Sequence, residues 1–249
     1  AACVRFIDAG NSLKGSLTLK GDGLPDVPLK VDVDQDAQGW GAVVGVMSSP
    51  VERLDLALHY ETRVRLEFEN DVKTDDTGLF VDGAEQRRDF PAMIGLGASY
   101  RVSDRLRCEA DFNWFFQKGA DWGRSPLARN NASYAGDVWS AGAAAAYRLT
   151  PDLEVSTGAL YTKHEWKDID AYYENNLGAT EVLYSTNLNL SAGMAFRMRP
   201  GYTLNAGLSY TIWEDETLSR SIGAPEPLRI DTDNSTVTAA VGVTIFMPR

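Results

Sequence analysis

Residues 53–69 read Arg-Leu-Asp-Leu-Ala-Leu-His-Tyr-Glu-Thr-Arg-Val-Arg-Leu-Glu-Phe-Glu. Leu54, Leu56, Leu58, Tyr60, Thr62, Val64, Leu66 and Phe68 take one set of alternate positions. Arg53, Asp55, Ala57, His59, Glu61, Arg63, Arg65, Glu67 and Glu69 take the other. Successive side chains of a strand point to opposite faces, so this segment builds one charge-free face and one charged face. Helical spacing would scatter the same residues around an axis. The pattern predicts one long strand over 53–69, well beyond the usual length in a soluble sheet.

The same period recurs over 90–100, 106–116, 139–147, 184–196, 202–212 and 237–245. In each, apolar and aromatic residues alternate with Gly, Ser, Asn, Thr or Arg. Segment 152–166 keeps Leu153, Val155, Ala159 and Tyr161 on one face, with Thr157 and Lys163 interrupting. The opening segment changes parity between Phe6 and Leu13, which predicts a bulge near residues 8–11. Connections alternate in length. Short ones rich in Pro, Gly, Ser and Asp fall at 49–52, 103–104, 150–152 and 200–201. Long polar ones fall at 20–28, 71–86, 119–136, 167–181 and 214–234. Such a chain is a series of long antiparallel strands, about ten of them.

Composition alone would suggest a water-soluble protein: 249 residues, 44% hydrophobic, with a mean hydropathy of −0.26. No run of about 18 apolar residues marks a helical span. A transmembrane β-barrel escapes both tests, because every lipid-facing residue is followed by a lumen-facing one. Trp40, Phe90 and Trp139 begin three descending strands, and Tyr100 and Tyr147 end two of them. From Phe90 to Tyr100 is about 33 Å along a strand, or roughly 25 Å in height at barrel tilt, matching the apolar band between aromatic girdles. The expected fold is all-β: an antiparallel transmembrane barrel with about ten strands visible, one domain over 1–249. It would sit in a bacterial outer membrane, with long loops extracellular and both termini periplasmic.

The net charge of −11 argues against a nucleic-acid partner, whose phosphates require basic surface. Acidic residues such as Asp75, Asp76, Asp82, Glu85, Glu214, Asp215 and Glu216 fall in connections and read as solvated loops. Cys3 and Cys108 lie on strands far apart and read as free thiols, buried or facing lipid. Strand-like Val4-Arg5-Phe6-Ile7 follows Ala1-Ala2-Cys3 directly, which argues against a lipid-modified cysteine. His59 and His164 are the two histidines, and neither forms an Asp-x-His pair or a Ser–His–acid arrangement. Two His and two Cys show no metal-ligand spacing, and Asp231, Asp233 and Asn234 read as a solvated loop. No catalytic residue, metal or cofactor is expected.

One order of motifs carries a family resemblance. Gly39-Trp40-Gly41-Ala42-Val43-Val44-Gly45 leads through a Pro turn to Leu54–Leu58 and Tyr60-Glu61-Thr62. Arg87-Arg88-Asp89-Phe90-Pro91-Ala92 and Gly95-Leu96-Gly97 follow, then 106–116 and Lys118-Gly119-Ala120-Asp121-Trp122. Over nearly its whole length the chain resembles the later part of FadL-type outer-membrane transporters of long-chain fatty acids and other hydrophobic compounds. That resemblance implies a barrel of roughly fourteen strands, plugged by an N-terminal hatch, passing hydrophobic molecules through the protein or sideways into the membrane. It implies hydrophobic small molecules, membrane lipid and lipopolysaccharide as partners. Two departures stand out: the hatch with its Asn-Pro-Ala start and about four early strands are not seen, and the chain ends Ile245-Phe246-Met247-Pro248-Arg249. The chain is therefore expected to be a C-terminal part of such a barrel or a shortened relative. The alternative function is a non-transporting barrel with a structural or surface-interaction role.

Transport of an apolar ligand needs inward apolar side chains and a few polar anchors. By parity the inward apolar residues are Met93, Phe115, Leu160, Trp213 and Phe246. Arg63, Arg65, Arg101 and Arg107 are the candidate carboxylate anchors. The competing reading is a ladder of lumen ion pairs, Arg107 with Glu109 and Arg63 with Glu61. Pro91 cannot donate a ladder hydrogen bond, and marks a strand start.

Overall fold

A computed structural model describes residues 1–21, 24–123, 134–169, 171, 185–220 and 228–246. The long alternating segments form strands, with 53–69 divided between two of them. In chain order these are β1 (Ala2–Gly21), β2 (Leu24–Val51), β3 (Leu54–Glu61), β4 (Glu67–Asp75), β5 (Glu85–Arg87), β6 (Met93–Arg101) and β7 (Leu106–Phe115). Then follow β8 (Val138–Thr150), β9 (Leu153–His164), β10 (Asn187–Arg199), β11 (Tyr202–Trp213), β12 (Glu216–Arg220), β13 (Leu228–Thr232) and β14 (Ser235–Ile245). The main sheet is antiparallel throughout and runs β14-β11-β10-β9-β8-β7-β6-β3-β2, with β1 on the far edge of β2. These ten strands form the wall. β4 and β5 continue from β2 above it, and β12 pairs only with β13.

The outward face is the apolar one. Leu56, Leu58, Tyr60, Leu96, Tyr100, Leu188, Leu190, Leu208, Tyr210, Val241 and Val243 are all exposed, as a surface that meets lipid must be. The Phe6 and Trp40 rings meet at a tilt at the loop end with centroids 4.6 Å apart, and the Trp139 ring lies 5.6 Å from that of Tyr161. Tyr100 and Tyr147 stand near the short turns. Trp139 to Tyr147 is about 26 Å along the strand, so aromatics mark both ends of the apolar band. Thr157, the polar residue on the outward face of β9, donates its hydroxyl proton to the Ser191 carbonyl at 3.0 Å. It satisfies itself within the wall, which makes it tolerable against lipid.

Several expectations are corrected. The stretch 20–28 is no loop: β1 and β2 pair from Ala2↔Val44 to Leu19↔Val27 in one unbroken register, so no bulge falls at residues 8–11. Connection 71–86 carries the end of β4 and the start of β5, and 214–234 carries the β12–β13 ribbon. β6 begins at Met93, with Phe90 making an isolated bridge to Val64 ahead of it and Pro91 between. Cys3 and Cys108 are free and exposed. Tyr184, residues 247–249 and most of the connections at 119–136 and 167–181 lie outside the described residues.

The largest correction concerns the segment 53–69, which is two strands and not one. Between Val43↔Glu61 and Asp36↔Glu69, β2 advances seven residues while the facing chain advances eight. One extra residue exchanges the two faces of a strand. Leu56, Leu58 and Tyr60 point out before it; Val64 and Leu66 point in after it, at 0% and 5% exposure. Segment 62–66 turns over the inner surface of β2. There Val64, Leu66 and Ala37 form a small core with Ile7, Ala9 and Phe68 against it. Glycine makes the approach possible. A Cβ on Gly39 would stand 2.3 Å from the Arg65 carbonyl oxygen and 2.6 Å from Val64 Cγ1, and one on Gly41 would stand 2.7 Å from Val64 Cγ2. The Thr62 hydroxyl replaces the lost ladder at this corner by accepting the Ala42 N–H at 2.8 Å.

Gly39→Val is expected to force this segment off β2 and cost about 1–3 kcal/mol by overpacking. Leu66→Ala is expected to cost roughly 2–5 kcal/mol through its cavity, and Leu58→Ala on the outward face much less. Urea unfolding of the three variants in one detergent checks the order.

Candidate functional site

The inward turn of 62–66 gathers a connected set of polar groups. Arg5 on β1 lies opposite Gly41, which has no side chain to block it. Its guanidinium therefore crosses β2, pairs with Glu61 on β3, and sits 4.8 Å over the Phe90 ring. His59 Nε2 stands 4.0 Å from Glu61 on the other side. The expected Arg63–Glu61 pair is not made: Glu61 takes Arg5, and Arg63 turns to Asp89 at 3.4 Å and the Gly119 carbonyl at 2.6 Å. The expected Arg107–Glu109 pair forms, at 3.1 Å.

Asp89 ties the corner down. Its side chain is wholly buried and accepts two N–H bonds from Arg87 at 2.7 Å each and the Asp121 N–H at 3.2 Å. The Asp89 N–H donates back to the Asp121 carbonyl at 2.7 Å. One carboxylate thus joins the inward segment, the 85–90 stretch and the 117–123 loop. Burial by itself pushes the Asp89 carboxyl up, but the Arg87 fork, the Asp121 N–H and the Arg87 and Arg63 charges outweigh it and hold it below the ordinary aspartate value.

The apolar candidates are spread along the lumen face. Met93 and Phe115 are direct cross-strand partners at the loop end of β6 and β7, with Glu61 on the other side of Met93. Trp213 pairs with Asn187, and Leu160 lies between Gly142 and Asn189. Phe246 is elsewhere: its N–H bonds the Gly201 carbonyl at the short-turn end, where the side chain is 69% exposed. The arginines divide likewise. Arg63 and Arg65 belong to the inward segment, whereas Arg101 and Arg107 face one another beside the short turns. Met93 to Arg101 is about 26 Å along the strand, so the four arginines form two groups and not one anchor. Gly39, Gly41, Arg5 and Asp89 were not singled out as site residues. A Gly-x-Gly on the inward parity of a strand is the readable trace of the first two; the reach of Arg5 leaves no local trace.

No protein-family model matches this sequence, and no curated protein matches it by sequence. Solved structures do match. A FadL homologue of Pseudomonas aeruginosa superposes with a TM-score of 0.66 at 15% identity, over 99% of this chain and 64% of that one. The Pseudomonas putida toluene transporter TodX gives 0.61 at 14% identity, over 100% of this chain and 66% of that one. The chain has the FadL-type barrel fold. The monoaromatic hydrocarbon channel CymD matches at 0.58 and 14% identity, over 98% of this chain. These are 14-stranded outer-membrane barrels and members of a transporter fold, not of an enzyme family. The chain spans about two thirds of the length of the first two.

The stabilisation from a carboxylate with lowered pKa is complete above the ordinary aspartate value of 3.8 and is lost as pH falls through the lower folded value. Asp89→Asn is expected to cost roughly 1.5–3 kcal/mol at neutral pH, as a charge-assisted hydrogen-bond set is lost. It is also expected to flatten the fall in thermal stability on acidification. Melting temperatures of both proteins between pH 7 and pH 3 check both points.

Proposed function

We propose that the protein is an outer-membrane channel for passive uptake of hydrophobic small molecules, such as aromatic hydrocarbons or long-chain fatty acids. The long loops face outside and the short turns face the periplasm. The observation that carries this reading is the inward turn of 62–66. There the ladder between β2 and the next strand lapses over Ala37–Gly41, beside exposed Trp40 and half-exposed Phe90. A break in a barrel wall is costly in lipid unless its backbone groups are otherwise met. Here Thr62, Val64 and Leu66 meet theirs through Ala42, Phe90 and Arg88, so the break in the ladder is kept without a continuing strand, beside the apolar side chains of Trp40 and Phe90. A hydrophobic solute reaching the lumen beside Met93 and Phe115 leaves sideways into the bilayer through this break, and never crosses the hydrophilic short-turn end. Similarity to structures described as a toluene transporter and a monoaromatic hydrocarbon channel supports the substrate class.

Proteoliposomes containing the full chain are expected to take up labelled toluene or a labelled fatty acid several-fold faster than empty liposomes. Gly39→Val, which displaces the inward segment, is expected to bring uptake near the empty-liposome rate while the protein still inserts. If no hydrophobic solute passes faster than through lipid alone, the transport reading fails and a non-transporting barrel takes its place.

A further inference from the structure

The short-turn end of the lumen has a different chemistry. A cavity of about 400 Å³ opens there between the turn after β2, the turn after β6 and the adjoining ends of β8 and β9. Five arginines line it: Arg53, Arg101, Arg105, Arg107 and Arg148. Three lining carboxylates, Glu52, Asp104 and Glu154, leave the lining a formal surplus of two positive charges, or one once Glu109 beside Arg107 is counted, in a chain whose net charge is −11. Arg101 and Arg107 are direct cross-strand partners on the inward face. Like charges in that relation destabilise a sheet. Ala146, the next residue in that row, is 8% exposed.

The carboxylates are spent unevenly. Arg107 has Glu109 at 3.1 Å and Glu154 at 3.8 Å, and Arg53 has Asp104 at 3.7 Å. Among the described residues, no carboxylate lies within ion-pair distance of Arg101, Arg105 or Arg148. Arg53 has φ of 75°, the one non-glycine residue of positive φ among those described. Glycine or asparagine would hold that turn with less strain. The side chain on this backbone lines the cavity.

We propose that this pocket binds an oxyanion of the phosphate class, held by the guanidinium groups of Arg101, Arg105 and Arg148. Guanidinium forks donate paired N–H bonds to phosphate oxygens. A tetrahedral dianion has oxygens for three such forks, whereas a carboxylate has two oxygens and half the charge. Leu106 and Ala146 are the only apolar members of the lining, so there is no wall for a hydrocarbon tail. The site is separate from the route of hydrophobic solutes and stands whether or not that route exists. Free phosphate and the phosphate of a lipid headgroup are its two sources.

The test is titration of the detergent-solubilised full chain with inorganic phosphate at low ionic strength, followed by calorimetry. One saturable site is expected. Arg105→Gln with Arg148→Gln is expected to weaken it at least tenfold, Arg148→Lys to weaken it less, and Arg197→Gln, outside the pocket, to leave it unchanged. Retained heat-modifiable migration on gels shows that each variant is folded. Displacement of phosphate by dihexanoyl phosphatidic acid assigns a lipid headgroup, and no displacement assigns the free ion. The proposal is overturned by the absence of saturable binding, by equal binding in the double variant, or by acetate competing as well as phosphate.

Discussion

A strand has two faces, and an odd insertion in one of two paired strands exchanges them. The rest of this structure depends on one such insertion, between Glu61 and Glu69 opposite β2. Without it, Val64 and Leu66 would continue the lipid-facing row of Leu56, Leu58 and Tyr60, and the wall would be uninterrupted. With it, two apolar side chains turn inward, onto a stretch of β2 whose inward positions carry no side chain. Gly39 and Gly41 provide that stretch, and Ile7, Ala9 and Ala37 complete the apolar bed. A local change of register becomes a small packed core on the inner face of β2.

That core would not hold its place through burial alone, because it is small. The polar frame around it adds direction. Asp89 is buried between Arg87 and Arg63 and hydrogen-bonded to the loop at Asp121, and Arg5 spans the bare backbone at Gly41 to reach Glu61. Charged groups so placed are well partnered, which is the condition for retaining them away from water. The frame also consumes cations that would otherwise be free to grip an acid: Arg5 and Arg63 are both engaged.

Charge is distributed unequally around the lumen. The face built by β3, β6 and β7 carries His59, Glu61, Glu109, Arg101 and Arg107. The inward rows of β8, β9, β10, β11 and β14 carry mostly Gly, Ala, Ser, Thr and Asn, as in Ala144, Gly158, Ser191, Ser209 and Thr238, with charge at the turn end in Arg148, Glu154 and Arg197. Chemistry concentrates on one sector, with an apolar corner at its loop end and an arginine cluster at its turn end. Between its ends the opposite sector is built mostly of small, uncharged side chains, with Leu160 and Trp213 among them.

The period of two was enough to establish long antiparallel strands, their apolar outward face, the short turns at 49–52, 103–104, 150–152 and 200–201, and ten wall strands. Each follows from residues adjacent in sequence, where side-chain alternation and turn chemistry act. The break inside 53–69 was not legible, because its alternation runs on without a flaw from Leu54 to Phe68. The missing information lay in β2, whose glycines accept Val64 and whose count of residues falls one short. The same is true of Arg5 finding Glu61, of Arg63 leaving Glu61 for Asp89, and of the gathering of Arg53, Arg101, Arg105, Arg107 and Arg148 from separate turns. The sequence by itself determined that this chain builds a barrel wall and which residues face lipid over most of it. Only the tertiary structure decided where the wall turns inward and where its charges meet, because both depend on registers between strands that no single strand encodes.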